Sequence, residues 1–212
     1  LLLSATGAIA STVAESKSVR ARVNGQLISA QVAVVFVSGT ASAARSGVES
    51  DRATVTADGS DAATITVTAR DVDDNPVEGV TVTIEATDTG AGNVYTQPVG
   101  LTGPDGTATG QIRSTVAETK TVRARIDGVL VDESAVVVFE PGTADVAVTT
   151  VVADVDTITA DGVESAPIIV TVLDAQGNPV PGVVVALEAT GAGNDYTQPA
   201  GVTGTNGVAV GA

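Results

Sequence analysis

Apolar and polar positions alternate in short runs along this chain. Ile65, Val67 and Ala69 are separated by Thr66 and Thr68, and Val80, Val82 and Ile84 by Thr81 and Thr83. Val122, Ala124 and Ile126 are separated by Arg123 and Arg125. A period of two sends every second side chain to one face, so each run predicts a half-buried strand with Val, Ile and Ala inward and Thr or Arg outward. Strands are also predicted near 54–57, 95–102 and 107–112, which makes about seven short strands per hundred residues, with no competing helical period.

The punctuation between runs has its own chemistry. Asp127-Gly128 follows the third run, and Asn24-Gly25 stands at the equivalent place earlier. A type I′ turn needs positive φ at both central residues, which Gly accepts and Asn or Asp tolerates, so each dipeptide predicts a tight hairpin. Its second strand runs to Phe139 in the later case. Asp73-Asp74-Asn75-Pro76 separates the first two runs, which are expected to pair as a hairpin or as neighbours. Pro104-Asp105-Gly106 marks another turn.

The pattern repeats. STVAESKSVRARVNG begins at Ser11 and STVAETKTVRARIDG at Ser114, 103 residues later. The same offset carries Phe36 onto Phe139, Ala57-Asp58-Gly59 onto Ala160-Asp161-Gly162, and Asn75-Pro76-Val77 onto Asn178-Pro179-Val180. After EAT, the first copy has DTGAGN where the second has GAGN, a length change of the kind that loops absorb cheaply. The chain therefore divides into 1–41, the second half of a repeat; 42–144, a complete repeat; and 145–212, the first half of the next.

Seven alternating strands in about a hundred residues fit two antiparallel sheets packed face to face, so the fold class is all-β, a tandem array of immunoglobulin-like sandwiches. The Cys and Trp of antibody domains are absent. ADGSDAATITVTARDVDDNPVEGVTVTIEAT followed by LTGPDGTATG resembles the bacterial immunoglobulin-like domain, group 1, and ADGVESAPIIVTVLDAQGNPVPGVVVALEAT repeats the likeness. The resemblance implies a rod of tandem copies, as in adhesins of the invasin and intimin type, and an extracellular place at a bacterial surface.

Composition narrows the function. The chain is 43% hydrophobic but only 2% aromatic, so its core must be aliphatic. A formal charge of −15 repels phosphate and anionic lipid, which argues against nucleic acid as a partner. Cysteine is absent, which removes disulfides and thiolate chemistry and suits a protein exported unfolded. Leu1, Leu2 and Leu3 are followed by neither a basic stretch nor a long apolar one, so this segment predicts no signal peptide and no membrane insertion, and an N-terminus elsewhere is expected.

Candidate chemistry is sparse. Without histidine there is no Ser-His-Asp triad and no imidazole base, and acids on turns and strand faces with few aromatics make a poor glycosidase; an enzyme is not expected. Asp71, Asp73 and Asp74, with Asn75, form one candidate calcium cluster, because hard cations favour close oxygen ligands on a turn. The second copy keeps only Asp174 of these aspartates, and Pro76 and Val82 break an EF-hand pattern. A second reading, in which Asp and Asn open the turn by bonding nearby backbone amides, accounts for both copies. Asp145, Asp154 and Asp156 form another candidate, an ion site stiffening the junction, against a solvated acidic linker. No cofactor other than calcium is expected.

Arg20 with Arg22, and Arg123 with Arg125, could face an anion but are expected to pair across strands with acids. The loops Gly90-Ala91-Gly92-Asn93 and Gly191-Ala192-Gly193-Asn194 precede no helix, so they predict no phosphate site. Tyr95 and Tyr196 are expected to pack over the sandwich ends. The leading functional expectation is a stalk whose partners are neighbouring repeats. The alternatives are a filament, in which terminal half-repeats of separate copies complete one another head to tail, and a spacer module of a secreted enzyme.

Overall fold

The structure, a computed structural model that describes residues 5–86 and 92–212, is built from short β-strands. The strands are β1 Ser16–Val23, β2 Gln26–Val35, β3 Gly47–Ser50, β4 Thr54–Thr56, β5 Ala63–Thr68, β6 Val82–Ala86 and β7 Asn93–Thr96. They continue with β8 Thr107–Ser114, β9 Thr119–Ile126, β10 Val129–Leu130, β11 Ala135–Glu140, β12 Thr150–Ala153, β13 Ile168–Thr171 and β14 Val208–Gly211. Among the described residues no helix is long and apolar enough to cross a membrane.

The middle repeat is a sandwich of two sheets. One has the order β3-β5-β8-β7, all antiparallel. In the other, β9 pairs with β6 on one side and with β10 and β11 on the other, and β11 pairs with β4. Between the sheets, Ile65 and Val67 of β5 join Val122 and Ala124 of β9 and Val137 and Phe139 of β11 in one aliphatic core. Burying each of the larger of these side chains, such as Ile65, Val67, Val122 and Val137, contributes about 1.5–3 kcal/mol, which is how a nearly aromatic-free sequence can hold a sandwich. The intervening Thr64, Thr66 and Thr68 remain partly exposed, as the alternation requires.

Two pairings depart from expectation. β5 and β6 neither pair nor share a sheet: β5 lies between β3 and β8, and β6 beside β9. The turn joining them is a corner, closed at its base by Val77 N–H donating to Ala69 O at 2.9 Å, from which the chain crosses to the opposite sheet. β4 runs parallel to β11, with Val138 opposite Thr54, while the other strand pairs among the described residues are antiparallel. The cause is a sheet switch: β3 pairs in the first sheet, and three residues later the chain continues in the same sense as β4 at the edge of the second.

Both tight turns form, but the strand after Asp127-Gly128 does not run unbroken to Phe139: β10 stops at Leu130 and β11 starts at Ala135, each pairing separately with β9. Asp127 and Gly128 have φ of 48° and 81°, and Asn24 and Gly25 have 50° and 81°. In the first repeat the β1–β2 hairpin leaves Val23 59% exposed, whereas its counterpart Ile126 is 4% exposed beneath the opposing sheet. In the third repeat β13 lies between β12 and β14, and Val170, Val172 and Val180 start a second core cluster.

Candidate functional site: the joint between repeats

The corner after β5 places Asp71 and Asn75 at the end of the sandwich that faces the preceding repeat. Asp71 Oδ1 accepts the backbone N–H groups of Asp73 and Asn75, each at 2.9 Å, and Asp71 N–H donates to Asn75 O at 2.9 Å. This is the turn-opening role of an Asp side chain. Gly106 supports the corner from below. Its φ is 75°, and a Cβ there would stand 2.5 Å from Ala69 O and 3.0 Å from Val77 N.

The remaining bonding capacity of the two side chains reaches out of the repeat. Asp71 Oδ2 accepts Gly39 N–H of the linker at 2.8 Å. Asn75 Oδ1 accepts Ala14 N–H at 2.8 Å, and Asn75 Nδ2 donates to Thr12 O at 2.8 Å. Asn75 Nδ2 also lies 3.0 Å from Asp71 Oδ2, so the two side chains hold each other in place.

One repeat later the arrangement recurs bond for bond. Asp174 Oδ1 accepts from Gln176 N at 2.9 Å and Asn178 N at 2.8 Å, and Asp174 Oδ2 accepts from Gly142 N at 2.8 Å. Asn178 Oδ1 accepts from Ala117 N at 2.8 Å, and Asn178 Nδ2 donates to Thr115 O at 3.0 Å. The separations match as well: 61 residues from Asn to Ala, and 32 from Asp to Gly, at both joints.

On the receiving side, a serine hydroxyl shapes the chain. Ser11 Oγ accepts from Val13 N at 3.0 Å, and Ser114 Oγ accepts from Val116 N at 3.0 Å. Each of these turns presents one carbonyl and one N–H to the incoming asparagine. In these hydrogen bonds the preceding repeat and the linker contribute main-chain groups.

Electrostatics fits this engagement. The N–H of Gly39, followed by the Asn75 amide, holds the Asp71 carboxyl at about 2, below its ordinary 3.8. For Asp174, burial pushes the pKa up, but the Asn178 amide and the N–H groups of Gly142, Asn178 and Gln176 outweigh it and the net direction is down. Both aspartates are buried, at 3% and 1% exposure, and their oxygens are met by N–H donors.

The proposed calcium ligands are not drawn together. Asp73 and Asp74 are exposed, and Asp74 lies 3.6 Å from Arg45 across the surface. Asp145 caps a local turn through Ala147 N–H at 2.8 Å. Asp145 N–H bonds Leu173 O and Asp154 N–H bonds Pro167 O, so the two aspartates stand at opposite ends of the β12–β13 ladder, with Asp156 beyond Asp154. Among the described residues, no group of three or more acidic side chains is arranged to hold a metal.

Arg125 pairs with Glu85 at 3.3 Å, as expected, but Arg20 bonds the Gln31 amide oxygen and Arg22 the Gly25 carbonyl. Tyr95 packs against the core, and its hydroxyl accepts Ala86 N–H at 2.9 Å; Tyr196 takes Ala189 N–H in the same way at 2.8 Å. Gly90 and Ala91 lie outside the described residues.

The family described as bacterial Ig-like domain (group 1) matches residues 45–140 and again 148–211. The chain belongs to this family. No curated protein sequence matches it. Among solved structures, FdeC, an Escherichia coli adhesin, is 25% identical with a TM-score of 0.61, over 93% of this chain and 64% of that one. InvD of Yersinia pseudotuberculosis is 22% identical with a TM-score of 0.61, over 81% of this chain and 53% of that one. Invasin, described as a bacterial integrin-binding protein, is 24% identical with a TM-score of 0.58, over 93% of this chain and 40% of that one. The chain thus spans less than two thirds of each of these proteins. As tandem bacterial Ig-like domains, its repeats are joined end to end by the Asp-Asn corner.

The joint was only half visible in the sequence. Asp71 and Asn75 stand out in the sequence, but their partners in the preceding repeat do not. The available signal was the repeat itself: Asp71, Asn75, Gly39 and the Ser11–Ala14 segment all recur at one offset, whereas Asp73 and Asp74 become Gln176 and Gly177.

Proposed function

We propose that this segment is part of a structural stalk of a bacterial cell-surface adhesin, or of another large extracellular repeat protein, which projects a distal binding domain. The observation that carries this reading is the recurrence of one hydrogen-bond set at two successive joints. Relative motion is the default between linked domains, so a contact repeated at each joint is what a spacer needs to transmit length. The likeness in fold to FdeC, InvD and invasin supports an extracellular, surface-associated setting. An aliphatic core, turn-bound carboxylates and a composition without histidine or cysteine support a non-enzymatic role.

The test is to delete one whole repeat from the full-length protein displayed on cells. The expected result is a reach shortened by about 40 Å, from strands of six to eight residues at roughly 3.3 Å each plus end loops, with ligand binding by the detached distal domain unchanged. Isolated repeats that bound host cells as strongly as the full protein would contradict the reading.

A further inference from the structure

We propose that the Asp-x-x-x-Asn corner is a docking site for the main chain of the repeat that precedes it, and that it locks the angle between repeats while asking of that neighbour's side chains only the serine that closes its turn, Ser11 or Ser114. The receiving groups at the first joint are Thr12 O, Ala14 N–H and Gly39 N–H, and at the second Thr115 O, Ala117 N–H and Gly142 N–H. A backbone carbonyl and N–H exist at nearly every position of any sequence. The preceding repeat must therefore supply only a conformation, and the Ser-closed turn supplies it in both copies.

Recognition is one-sided in chemistry. The specificity lies in two side chains of the following repeat, pre-oriented by the bond between Asn178 Nδ2 and Asp174 Oδ2 at 2.9 Å. Pre-orientation lowers the entropy cost of docking. The corner between Asp and Asn is free to vary, and it does: Val72-Asp73-Asp74 in one copy, Ala175-Gln176-Gly177 in the other. The left-handed residue is Asp74 at φ 67° in the first and Gly177 at φ 85° in the second. An array built this way can diversify its repeats and still keep one joint. This holds whether or not the array carries a binding domain, so it stands apart from the stalk reading.

The chain has no cysteine, which allows a clean distance measurement. Spin labels at Val136→Cys in the middle repeat and Val151→Cys in the third, both exposed positions, report the distance across the second joint in the full chain. The parent should give a narrow distribution. Asn178→Ala removes the amide from the following repeat, and Ala117→Pro removes the N–H from the preceding one; each is expected to raise the undocked population about tenfold and broaden the distribution. The two changes lie in different repeats, so a broadening common to both reports the joint and not the unfolding of either. Thr115→Ala, which keeps the carbonyl, should leave the distribution narrow. The proposal is overturned if Asn178→Ala and Ala117→Pro leave it unchanged, or if Thr115→Ala broadens it as much as they do.

Discussion

Asn178 Oδ1 accepts the backbone N–H of Ala117 at 2.8 Å, binding two repeats together across 61 residues of chain. The neighbouring Asp174 carboxylate is buried, and its oxygens accept the N–H groups of Gly142, Gln176 and Asn178. Buried and fully paired polar groups rigidify, whereas half-satisfied ones are costly. The joint is therefore expected to behave as a unit, whole or lost.

Acid should loosen it in a defined direction. The Asp71 carboxyl sits at about 2 in the folded chain against 3.8 ordinarily. A depressed carboxyl contributes stability that is complete above its unfolded pKa and is lost as pH falls through the folded one. The stability difference between the parent and Asp71→Asn should stay constant above about pH 5, shrink as pH falls from about 4, and level off below about 2. Urea titrations at a series of pH values measure it; a difference independent of pH across this window would contradict the assignment.

Chelation should do nothing at this corner. The Asp71 oxygens already face N–H donors, and Asp73 and Asp74 are exposed. A melting curve of the two-repeat region with and without a calcium chelator is expected to be unchanged. A rise in melting temperature with calcium, abolished by Asp71→Asn, would restore an ion to the corner.

Lys120 presents a different case. It points into the core at 0% exposure, its ammonium 5.8 Å from the centre of the Phe139 ring and ion-paired with Glu118. Breaking a buried pair from one side typically costs about 3–5 kcal/mol, whereas an apolar replacement of the buried cation is far milder. Glu118→Gln should therefore destabilise the middle repeat more than Lys120→Met, because the second leaves its charge on Glu118, the more exposed partner. Chemical denaturation of the two variants gives the order, and the reverse order would refute it.

Two glycines with the same backbone sign should respond unequally to alanine. Gly128 has φ 81° and open space around it, so Gly128→Ala carries only the conformational strain of about 1 kcal/mol. Gly106→Ala adds a clash with Ala69 O at the base of the docking corner, and is expected to cost several-fold more. Equal losses in thermal denaturation would show that the corner yields freely.

The parts legible from sequence are those whose cause is local. Period-two alternation placed Ile65, Val67, Val122 and Ala124 in the core, because the pleat acts residue by residue. Asp127-Gly128 gave its hairpin because φ preference belongs to the residue. The relation of β5 to β6 was not legible, since a hairpin and a corner between sheets both need a turn, and the choice is made by strands β8 and β9 arriving from elsewhere. The docking groups were hidden for a different reason: Ala14, Thr12 and Gly39 act through main-chain atoms, which leave no residue signature. Only the shared offset of Asp71, Asn75 and their distant partners recorded the contact.

Identical docked joints at successive repeats are expected to make the array a rod. Small-angle scattering from arrays of two, three, four and six repeats measures this. Docked joints predict a maximum dimension that grows in proportion to repeat number, by about 40 Å each, with Asn→Ala at every joint lowering that growth. Growth of the unmodified array as the square root of repeat number, the signature of freely jointed links, would contradict it.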